Sequence, residues 1–432
     1  MDPVLIVGAG IVGLTLGQAL KQKNIPFEIY ERDETPDARG QGWAITLHWA
    51  LEYMQKMLPE ETLKRIQDVQ VDPDVAINDN GNFLFINLET GEPKYKIPPN
   101  VRWRVNREKM RRALLCGIED HVHWGRRVVG VSLLDDKSKV RLRFVDETTL
   151  TGRMVIGVEG SRSMVRQILR PDAFDNVPLG INFTGVAVDL TPAQIKPLRE
   201  MDPLLFQGCH PPTGAFFWFS MLETPKVNGT AGTSAERYRA QICMSWSENT
   251  PEDRVADTDE ARLENMKRRA EGFVPFLQQA VDRIPAGTPV TEIKLADWEC
   301  LEWENHDGRV TLAGDAAHAM TMYRGEAANH GLLDAYHLAA AIEAVYRGNL
   351  SASDAIDGFE SEMRKRTSRA VRLSRQACRD AHDWTRLDET SAILTKRAIS
   401  RVAHRGHRRT CAICGAIVQP TTTATARTMG AR

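Results

Sequence analysis

Residues 4–20 read VLIVGAGIVGLTLGQAL, and they carry the strongest local signal in the chain. The apolar run at its start is typical of a buried parallel strand, and three glycines at the spacing GxGxxG follow where a helical pattern begins. In such a turn Gly8 permits a tight bend, Gly10 lets the backbone approach a pyrophosphate, and Gly13 lets the helix lie close against the sheet. The stretch has 17 residues. Because a bilayer span needs roughly 20, we expect no membrane helix here.

A carboxylate follows the next strand pattern. FEIY at 27–30 predicts a second apolar strand, which ends at Glu31, 18 residues beyond Gly13. A carboxylate at this position can accept hydrogen bonds from the ribose of an adenine dinucleotide. Together the two features favour a Rossmann-type nucleotide site over the alternative, which is a tight turn followed by a surface glutamate.

The composition is that of an ordinary globular protein. The chain has 432 residues, 42% hydrophobic and 26% charged, with a formal net charge of −1, which predicts no nucleic-acid partner. This length predicts two domains or one elaborated domain. The start, MDPVLIVGAG, has no secretory-signal pattern and the seven cysteines are scattered, so we expect a cytoplasmic location and reduced thiols.

Beyond Glu31 the chain does not continue the strand–helix alternation of a plain NAD dehydrogenase. A polar loop follows instead, and then a helical pattern that carries Arg107 and Arg111. Two further turns come after buried-strand patterns, namely VEGSRSMVR at 158–166 and LAGDAAHAM at 312–320.

With these three turns in this order, the chain resembles the class A flavoprotein monooxygenases, the family of p-hydroxybenzoate hydroxylase. The segment RGEAANHG at 324–331 is similar to that of the fungal biosynthetic and ubiquinone-pathway hydroxylases. The resemblance implies an α/β fold with a Rossmann-type GxGxxG FAD-binding domain, an inserted antiparallel β-sheet substrate domain and C-terminal helices. It also implies FAD as the cofactor and NAD(P)H as a transient reductant.

The resemblance also divides the chain. It implies a discontinuous FAD-binding domain, a substrate-binding β-sheet domain and a C-terminal part. The expected bounds are 1–75, 101–180 and 301–350 for the first, 76–100 and 181–300 for the second, and 351–432 for the third.

Family roles can be placed on matching residues. Glu31 would hold the adenosine ribose, Arg107 would approach FAD with Arg111 as its competitor, and Asp315 would accept a hydrogen bond from the ribityl chain. A helix start near 324–329 would direct its positive end at the pyrimidine edge of the flavin. The full cofactor set implied is Gly8, Gly10, Gly13, Glu31, Arg39, Gly42, Ala44, Arg107, Arg111, Glu159, Gly314, Asp315, Gly325, Ala327, Ala328 and Asn329.

Three residues depart from the family pattern near the reacting face. Glu159 replaces the usual aspartate of the second motif, Met322 stands where a proline is common, and Ala327 replaces a glycine. These changes leave open hydroxylation, epoxidation, Baeyer–Villiger chemistry and a redox-silent relative. The sequence identifies no acid or base, so the pocket candidates are Met322, Tyr323 and Arg324.

Two histidines beside the third motif are candidates for an acid or base by residue type alone. His318 and His330 are interpreted as satisfied polar groups, because neither has a carboxylate partner visible in the sequence.

The segment between the second and third motifs predicts an antiparallel sheet. INFTGVAVDL, GAFFWFSML and RYRAQICMSW are rich in aromatic and β-branched residues and are separated by polar loops. Phe217, Trp218, Phe219 and Trp246 suggest a wall for an aromatic or polycyclic substrate. Packing of these rings in the core is an equal alternative.

The C-terminal part begins with an amphipathic helix pattern. Ser351 predicts its N-cap, and Ile356, Phe359 and Met363 form one apolar stripe. The final 40 residues are basic, then rich in Thr and Ala. They include HxxH and CxxC spacings that could suit zinc, but a solvated basic helix with incidental thiols is preferred and no metal is expected. The residues concerned are His404, His407, Cys411 and Cys414.

Three functions therefore remain for the sequence. The leading one is an FAD-dependent monooxygenase that uses NAD(P)H and O2 on an aromatic or polyketide-like molecule in secondary metabolism. The second is a flavoenzyme on the same scaffold that performs oxidation, isomerisation or cyclisation without oxygen transfer. The third is a non-enzymatic nucleotide-binding protein. The sequence selects no oligomeric state.

Overall fold

The computed structural model describes residues 1–38, 42–79, 81–97, 101–135 and 138–395. Arg39 and the four residues with zinc-like spacing, His404, His407, Cys411 and Cys414, lie outside the described residues.

The described residues form strands and α-helices with the following bounds. The strands are β1 Val4–Val7, β2 Phe27–Tyr30, β3 Ala44–Leu47, β4 Phe83–Asn87, β5 Pro93–Ile97, β6 Trp103–Asn106, β7 Val122–His123, β8 Val128–Leu133, β9 Val140–Phe144, β10 Thr149–Gly152, β11 Met154–Gly157, β12 Val177–Pro178, β13 Ile181–Leu190, β14 Leu205–Cys209, β15 Phe216–Glu223, β16 Tyr238–Ser247, β17 Thr291–Glu292, β18 Ala296–Asp297 and β19 Val310–Leu312. The α-helices are α1 Ile11–Gln22, α2 Leu51–Met57, α3 Glu60–Asp68, α4 Pro73–Ala76, α5 Arg107–Leu115, α6 Met164–Leu169, α7 Pro192–Met201, α8 Pro225–Asn228, α9 Asp259–Arg269, α10 Pro275–Asp282, α11 Asp315–His318, α12 Ala327–Tyr346 and α13 Ala352–Asp380.

A five-stranded parallel sheet carries the three motifs. Its order is β19-β11-β1-β2-β7, and every residue of β1 and β11 is buried. A parallel strand that is covered on both faces is expected to be a continuous apolar run, and the sequences of β1 and β11 have this character. Since parallel strands end at one edge of a sheet, β1, β11 and β19 bring their following turns together.

The first turn is shaped by two glycines. Gly8 has a φ of +112°, a conformation that side chains with a Cβ rarely adopt. A Cβ built on Gly13 would lie 2.1 Å from the Gly8 carbonyl oxygen. The helix α1 can therefore lie close to the strand end because Gly13 has no side chain, as the GxGxxG pattern predicts.

A seven-stranded sheet forms the second layer, in the order β17-β13-β16-β15-β14-β4-β5. The three strands predicted between the second and third motifs are present as β13, β15 and β16, and they pair antiparallel. One pairing differs from the predicted antiparallel sheet, because β4 joins β14 in parallel. Apolar residues of α7, α9 and α10 cover one face of this sheet, so the other face is free to border a site.

The β3–β6 ribbon and the C-terminal helices complete the fold. β3 and β6 pair antiparallel, with Thr46 opposite Arg104. Ser351 caps α13 by accepting from the Asp354 amide at 3.0 Å, and the predicted stripe of Ile356, Phe359 and Met363 is buried in the core that also contains the parallel sheet. In the part of the chain that is described, no helix is long and apolar enough to cross a membrane.

The replacement Gly13→Ala tests the close approach of α1 to β1. Its methyl group would overlap a backbone oxygen that cannot move without shifting the strand, so we expect a loss of about 2 kcal/mol or more of unfolding free energy. Thermal and urea denaturation measure this loss. Gly229→Ala is a control for adding a methyl group, because a Cβ there would meet no atom within 4 Å, although its φ of +75° adds modest strain. Equal stability of Gly13→Ala and the wild type would contradict the packing.

Candidate active site

A cavity of about 580 Å³ lies where the three motifs and the seven-stranded sheet meet. Most residues predicted to hold the cofactor border it, together with the three pocket candidates Met322, Tyr323 and Arg324. The predicted cofactor residues in its lining are Gly8, Gly10, Glu31, Ala44, Arg107, Glu159, Asp315, Gly325, Ala327 and Ala328.

Glu31 is held in place by the turn that it follows. Its Oε2 accepts from the Ala9 amide at 2.8 Å and its Oε1 accepts from the Asp33 amide at 3.1 Å. The carboxylate also lines the cavity, where it can accept from a ribose hydroxyl. The predicted position, at the end of β2, therefore brings the carboxylate to the GxGxxG turn.

Glycines of the first two motifs and of the 324–331 segment leave room for a ligand. A Cβ built on Gly10, Gly160 or Gly325 would meet no atom within 4 Å, and all three residues line the cavity. Gly314 differs, because a Cβ built on it would lie 3.0 Å from Val12. Gly13 is similar, since it also packs against protein and not against open space. The open backbone at three separate turns fits an extended ligand such as FAD, which is gripped along its length. Gly13 and Gly314 instead allow the protein to pack behind it.

The two arginines of α5 have different positions. Arg107 lines the cavity and pairs with Glu108 at 2.7 Å. Arg111 is buried behind the first turn, where its Nε donates to the Ala9 carbonyl at 2.8 Å and its Nη1 to the Pro36 carbonyl at 2.6 Å. Of the two competitors, Arg107 faces the ligand space, and Arg111 holds the turn in shape.

Glu159 caps the helix after the second motif. Its Oε2 accepts from the Ser163 hydroxyl and its Oε1 from the Val165 amide, both at 2.8 Å. Burial raises the pKa of Glu159, although these hydrogen bonds oppose the effect. The added methylene thus leaves a carboxylate that lines the cavity and fixes α6 at the same time.

Asp315 faces the cavity at the start of α11. The surrounding protein raises the pKa of Asp315 by desolvation, while His318, Arg107 and Arg166 act in the opposite direction. This carboxylate is therefore placed, as the third motif predicts, to accept a hydrogen bond from a hydroxyl-bearing ligand.

Behind the third motif lies a buried carboxylate that the sequence interpretation missed. Asp334 Oδ2 accepts from the Gly314 amide at 2.8 Å and contacts His318 Nε2 at 2.6 Å, and its Oδ1 accepts from Arg366 Nη2 at 2.7 Å. Burial acts to raise the pKa of Asp334, but His318 and Arg366 outweigh it and hold the pKa well below its usual range. The interpretation of His318 as a satisfied polar group agrees with this contact, whereas its reason was wrong. An acidic residue on the apolar face of the α12 pattern was the available signal.

His330 is held as a neutral ring in the same cluster. Its Nδ1 lies 2.8 Å from Arg366 Nη1, and because a guanidinium only donates, this nitrogen accepts. Burial and the charge of Arg366 lower the pKa of His330 well below its ordinary value. This contact makes His330 the satisfied polar group that was expected.

The three pocket candidates have distinct surroundings. Tyr323 donates to the Ser245 hydroxyl at 2.8 Å, and Arg324 is neutralised by Glu326 at 2.6 Å. Met322 lies beside them in the cavity lining. Asn329, predicted for the cofactor, faces away, because its side chain donates to the Thr46 carbonyl and accepts from the His48 amide, both at 2.9 Å.

Ser245 links Tyr323 to the ring of His382. Its hydroxyl lies 2.9 Å from His382 Nε2, and His382 Nδ1 lies 2.7 Å from the Cys378 carbonyl. A carbonyl only accepts, so Nδ1 carries the proton and Nε2 accepts from Ser245. The Tyr323 hydroxyl is thereby held in one orientation at the cavity wall.

The prediction of the aromatic wall is corrected by strand alternation. Trp218 lines the cavity together with Phe216, which was not predicted. Phe217 and Phe219 point to the other face, where their ring centroids lie 6.1 and 5.1 Å from that of Phe206. Successive residues of a strand face opposite sides, so a run of four aromatic residues cannot form one wall.

Two other predicted residues also lie outside the cavity lining. Trp246 is buried and donates from Nε1 to the Asp253 carbonyl at 2.6 Å. The guanidinium carbon of Arg269 lies over its ring, 4.2 Å from the centroid. Gly42 lies near Ala187, whose Cβ would be 3.8 Å from an added methyl group. Neither position borders the ligand space.

This architecture defines a class of protein. A parallel sheet presents a GxGxxG turn, the Glu31 carboxylate and an Asp315-bearing turn to one cavity, and a second sheet closes that cavity with aromatic side chains. These are the features of a flavoprotein oxidoreductase in which FAD lies against a substrate pocket.

Comparison with known proteins agrees. A family model described as FAD binding domain matches residues 1–374. The FAD-dependent monooxygenase dbaB of Emericella nidulans is 40% identical over 390 residues, covering 90% of this chain and 97% of that protein. The FAD-dependent monooxygenase cctM of Talaromyces islandicus is 30% identical over 386 residues, covering 89% and 94%.

Solved structures share the fold at low identity. 2,6-Dihydroxypyridine-3-hydroxylase from Arthrobacter nicotinovorans has a TM-score of 0.69 at 18% identity, covering 94% of this chain and 99% of that chain. HpxO from Klebsiella pneumoniae, complexed with FAD and uric acid, has a TM-score of 0.69 at 19% identity, covering 89% and 90%.

The chain belongs to the class A FAD-dependent monooxygenases. It is an FAD-dependent oxidoreductase, and the expected family and α/β fold are confirmed.

The replacement Gly10→Val tests the cradle for FAD. The backbone of Gly10, with a φ of −78°, suits any residue, and a Cβ there would meet no atom within 4 Å in a lining position of the cavity. We therefore expect FAD affinity to fall about tenfold or more while the melting temperature of the apoprotein changes little. Flavin fluorescence titration measures the affinity. Unchanged affinity would show that the ligand lies elsewhere.

Acid sensitivity should depend on His382. Burial lowers the pKa of His382 from its ordinary 6.5 to about 4. The unfolded state then takes up a proton that the folded state refuses, so stability is complete above pH 6.5 and falls as the pH falls toward 4. Melting temperatures of the wild type and His382→Gln, measured across this range, should show a shallower decline for the variant. Parallel declines would mean that other groups cause the loss.

Proposed function

We propose that this monooxygenase oxygenates an aromatic or polycyclic molecule of polyketide type in secondary metabolism, with NAD(P)H as the electron donor. The observation that carries the proposal is a single cavity that runs from the GxGxxG turn to the rings of Phe183, Phe216 and Trp218. Aromatic side chains in a cavity wall suit a planar guest. The names of dbaB and cctM, both fungal monooxygenases, support the reaction class.

The residues of this chain have separate tasks in such a reaction. Gly10, Gly160 and Gly325 admit FAD, Glu31 and Asp315 offer acceptors to its hydroxyl groups, and Arg107 offers a cation. When bound, FAD supplies the transfer of electrons from NAD(P)H and the activation of O2. The start of α12 at Ala327 presents free backbone N–H groups, which favour negative charge that develops beside it.

The opposite wall positions the substrate and excludes water. Trp218 and Phe216 belong to β15, and Tyr323 is fixed by Ser245. A rigid, largely apolar wall favours transfer of oxygen to the guest over its loss to water. We place this activity in the cytoplasm, where NAD(P)H is supplied.

A substrate screen with isotope detection tests the function. The purified holoprotein should show a flavin spectrum, oxidise NADPH or NADH faster when a suitable polyhydroxylated aromatic compound is added, and incorporate one atom from ¹⁸O₂ into the product. Gly10→Val is the control for background oxidation. Faster NAD(P)H oxidation with a product free of ¹⁸O would instead establish the alternative without oxygen transfer.

A further inference from the structure

A buried arginine faces the substrate side of the cavity without a carboxylate partner. Arg104, on β6, lines the cavity and is 4% exposed. Among the described residues, no carboxylate lies within 4.0 Å of its guanidinium. A buried cation without a counter-ion costs several kcal/mol, so a protein that keeps one has a use for it.

Three other arginines show the contrast, and Arg166, which likewise has no carboxylate partner among the described residues, instead donates to the Ala316 and Ser161 carbonyls and to Asn176 Oδ1 outside the cavity lining. Arg102, two residues earlier and also in the cavity lining, pairs with Asp79 through two hydrogen bonds of 2.7 and 3.0 Å. Arg324 pairs with Glu326, and Arg366 with Asp334. A carboxylate thus neutralises each of these three arginines, whereas the charge of Arg104 has no such partner.

Neutral hydroxyl groups hold Arg104 in one orientation. Its Nη1 donates to Thr46 Oγ1 at 2.8 Å and its Nη2 to Ser220 Oγ at 2.6 Å. The guanidinium carbon lies 5.7 Å from the ring centroid of Trp218. The side chain is therefore anchored from the β3 side and from the β15 side, next to the ring that lines the cavity.

Donor capacity remains after these contacts. A guanidinium has five N–H groups, and the two contacts above use one N–H each of Nη1 and Nη2, so that each of these nitrogens keeps one N–H for a further acceptor. Arg104 Nε is enclosed by protein and has no hydrogen-bond partner among the described residues. Burial and the nearby charge of Arg102 lower the pKa of Arg104 to about 9. Both facts describe a cation that an incoming acceptor would stabilise.

We propose that Arg104 recognises the substrate, and that the substrate presents to it an anionic oxygen, either of a carboxylate or of an ionised phenol or enol. The inference rests on the proposed function, because it names the chemical class of the guest in the same cavity. Charge-assisted hydrogen bonds to a planar guanidinium are strong and directional, so this contact would fix which edge of the ring approaches the cofactor.

Matched pairs of probes test the proposal on the FAD-loaded protein. Pentafluorobenzoate is compared with pentafluorobenzamide, and pentafluorophenol with pentafluoroanisole, so that each anion has a neutral partner of similar shape. Dissociation constants come from changes in the flavin absorbance. We expect at least one anion to bind about tenfold or more tighter than its partner, and the pair that shows the preference identifies the carboxylate or the phenolate.

Variants of Arg104 test whether this residue causes the preference for an anion over its neutral partner. Arg104→Gln should remove it by weakening the anion about tenfold or more while neutral probes change less than about twofold, and Arg104→Lys should retain part of it. Arg102→Gln is the matched control, since it removes a neutralised arginine of the same cavity, and it should keep the preference. Arg104→Met should leave the melting temperature unchanged or raise it, because it removes an unpaired buried charge.

Several results would overturn the proposal. Anion and neutral probes that bind equally to the wild type would exclude anion recognition. A preference retained in Arg104→Gln, with melting temperatures lowered in both Arg104→Gln and Arg104→Met, would make Arg104 a structural residue. Loss of FAD in Arg104→Gln would assign its charge to the cofactor. Failure of the wild type to bind FAD would instead refute the proposed function.

Discussion

A buried carboxylate fixes each turn that borders the cavity, and the site depends on these three anions. Glu31 accepts from the Ala9 amide, Glu159 from the Val165 amide, and Asp334 from the Gly314 amide. Glu31 and Asp334 satisfy backbone donors that follow a strand end, and Glu159 satisfies one in the first turn of α6, where the helix supplies no acceptor. Because an unpaired buried amide or carboxylate is costly, these contacts leave each turn few alternative conformations. The backbone around the ligand space is thereby shaped before any ligand is bound.

The two walls of the cavity follow different physical rules. The motif side is made of backbone and small residues, so it can approach a polar cofactor closely. The sheet side is made of long side chains on alternate positions of β15 and its neighbours, with Trp218 facing the cavity and Phe217 facing the helices. Arg104 lies between these walls on the short β3–β6 ribbon. A substrate held there meets a flat apolar surface on one side and a fixed cation at its edge.

Local patterns in the sequence predicted the parallel sheet, the three turns and the start of α13, because each depends on residues close to one another in the chain. The roles of the aromatic residues needed the facing of β15, which depends on pairing with β14 and β16. Alternation alone shows that Phe217 and Phe219 share a face, but not which face borders the ligand. The partner of His318 was missed because Asp334 reaches it only after α12 has packed. Arg104 was missed because the feature that distinguishes it is the lack of a carboxylate close to its guanidinium, which only the folded structure shows.

The contacts that the third motif makes with later parts of the chain also determine when the site can form during synthesis. β1 leaves the ribosome first, yet its neighbours in the sheet are β11 and β2, and β19 completes the edge only after residue 312. Arg366, which pairs with Asp334 behind the Gly314 turn, emerges later still. The GxGxxG segment is therefore synthesised early, but the nucleotide site around it is completed only after most of the chain has been translated.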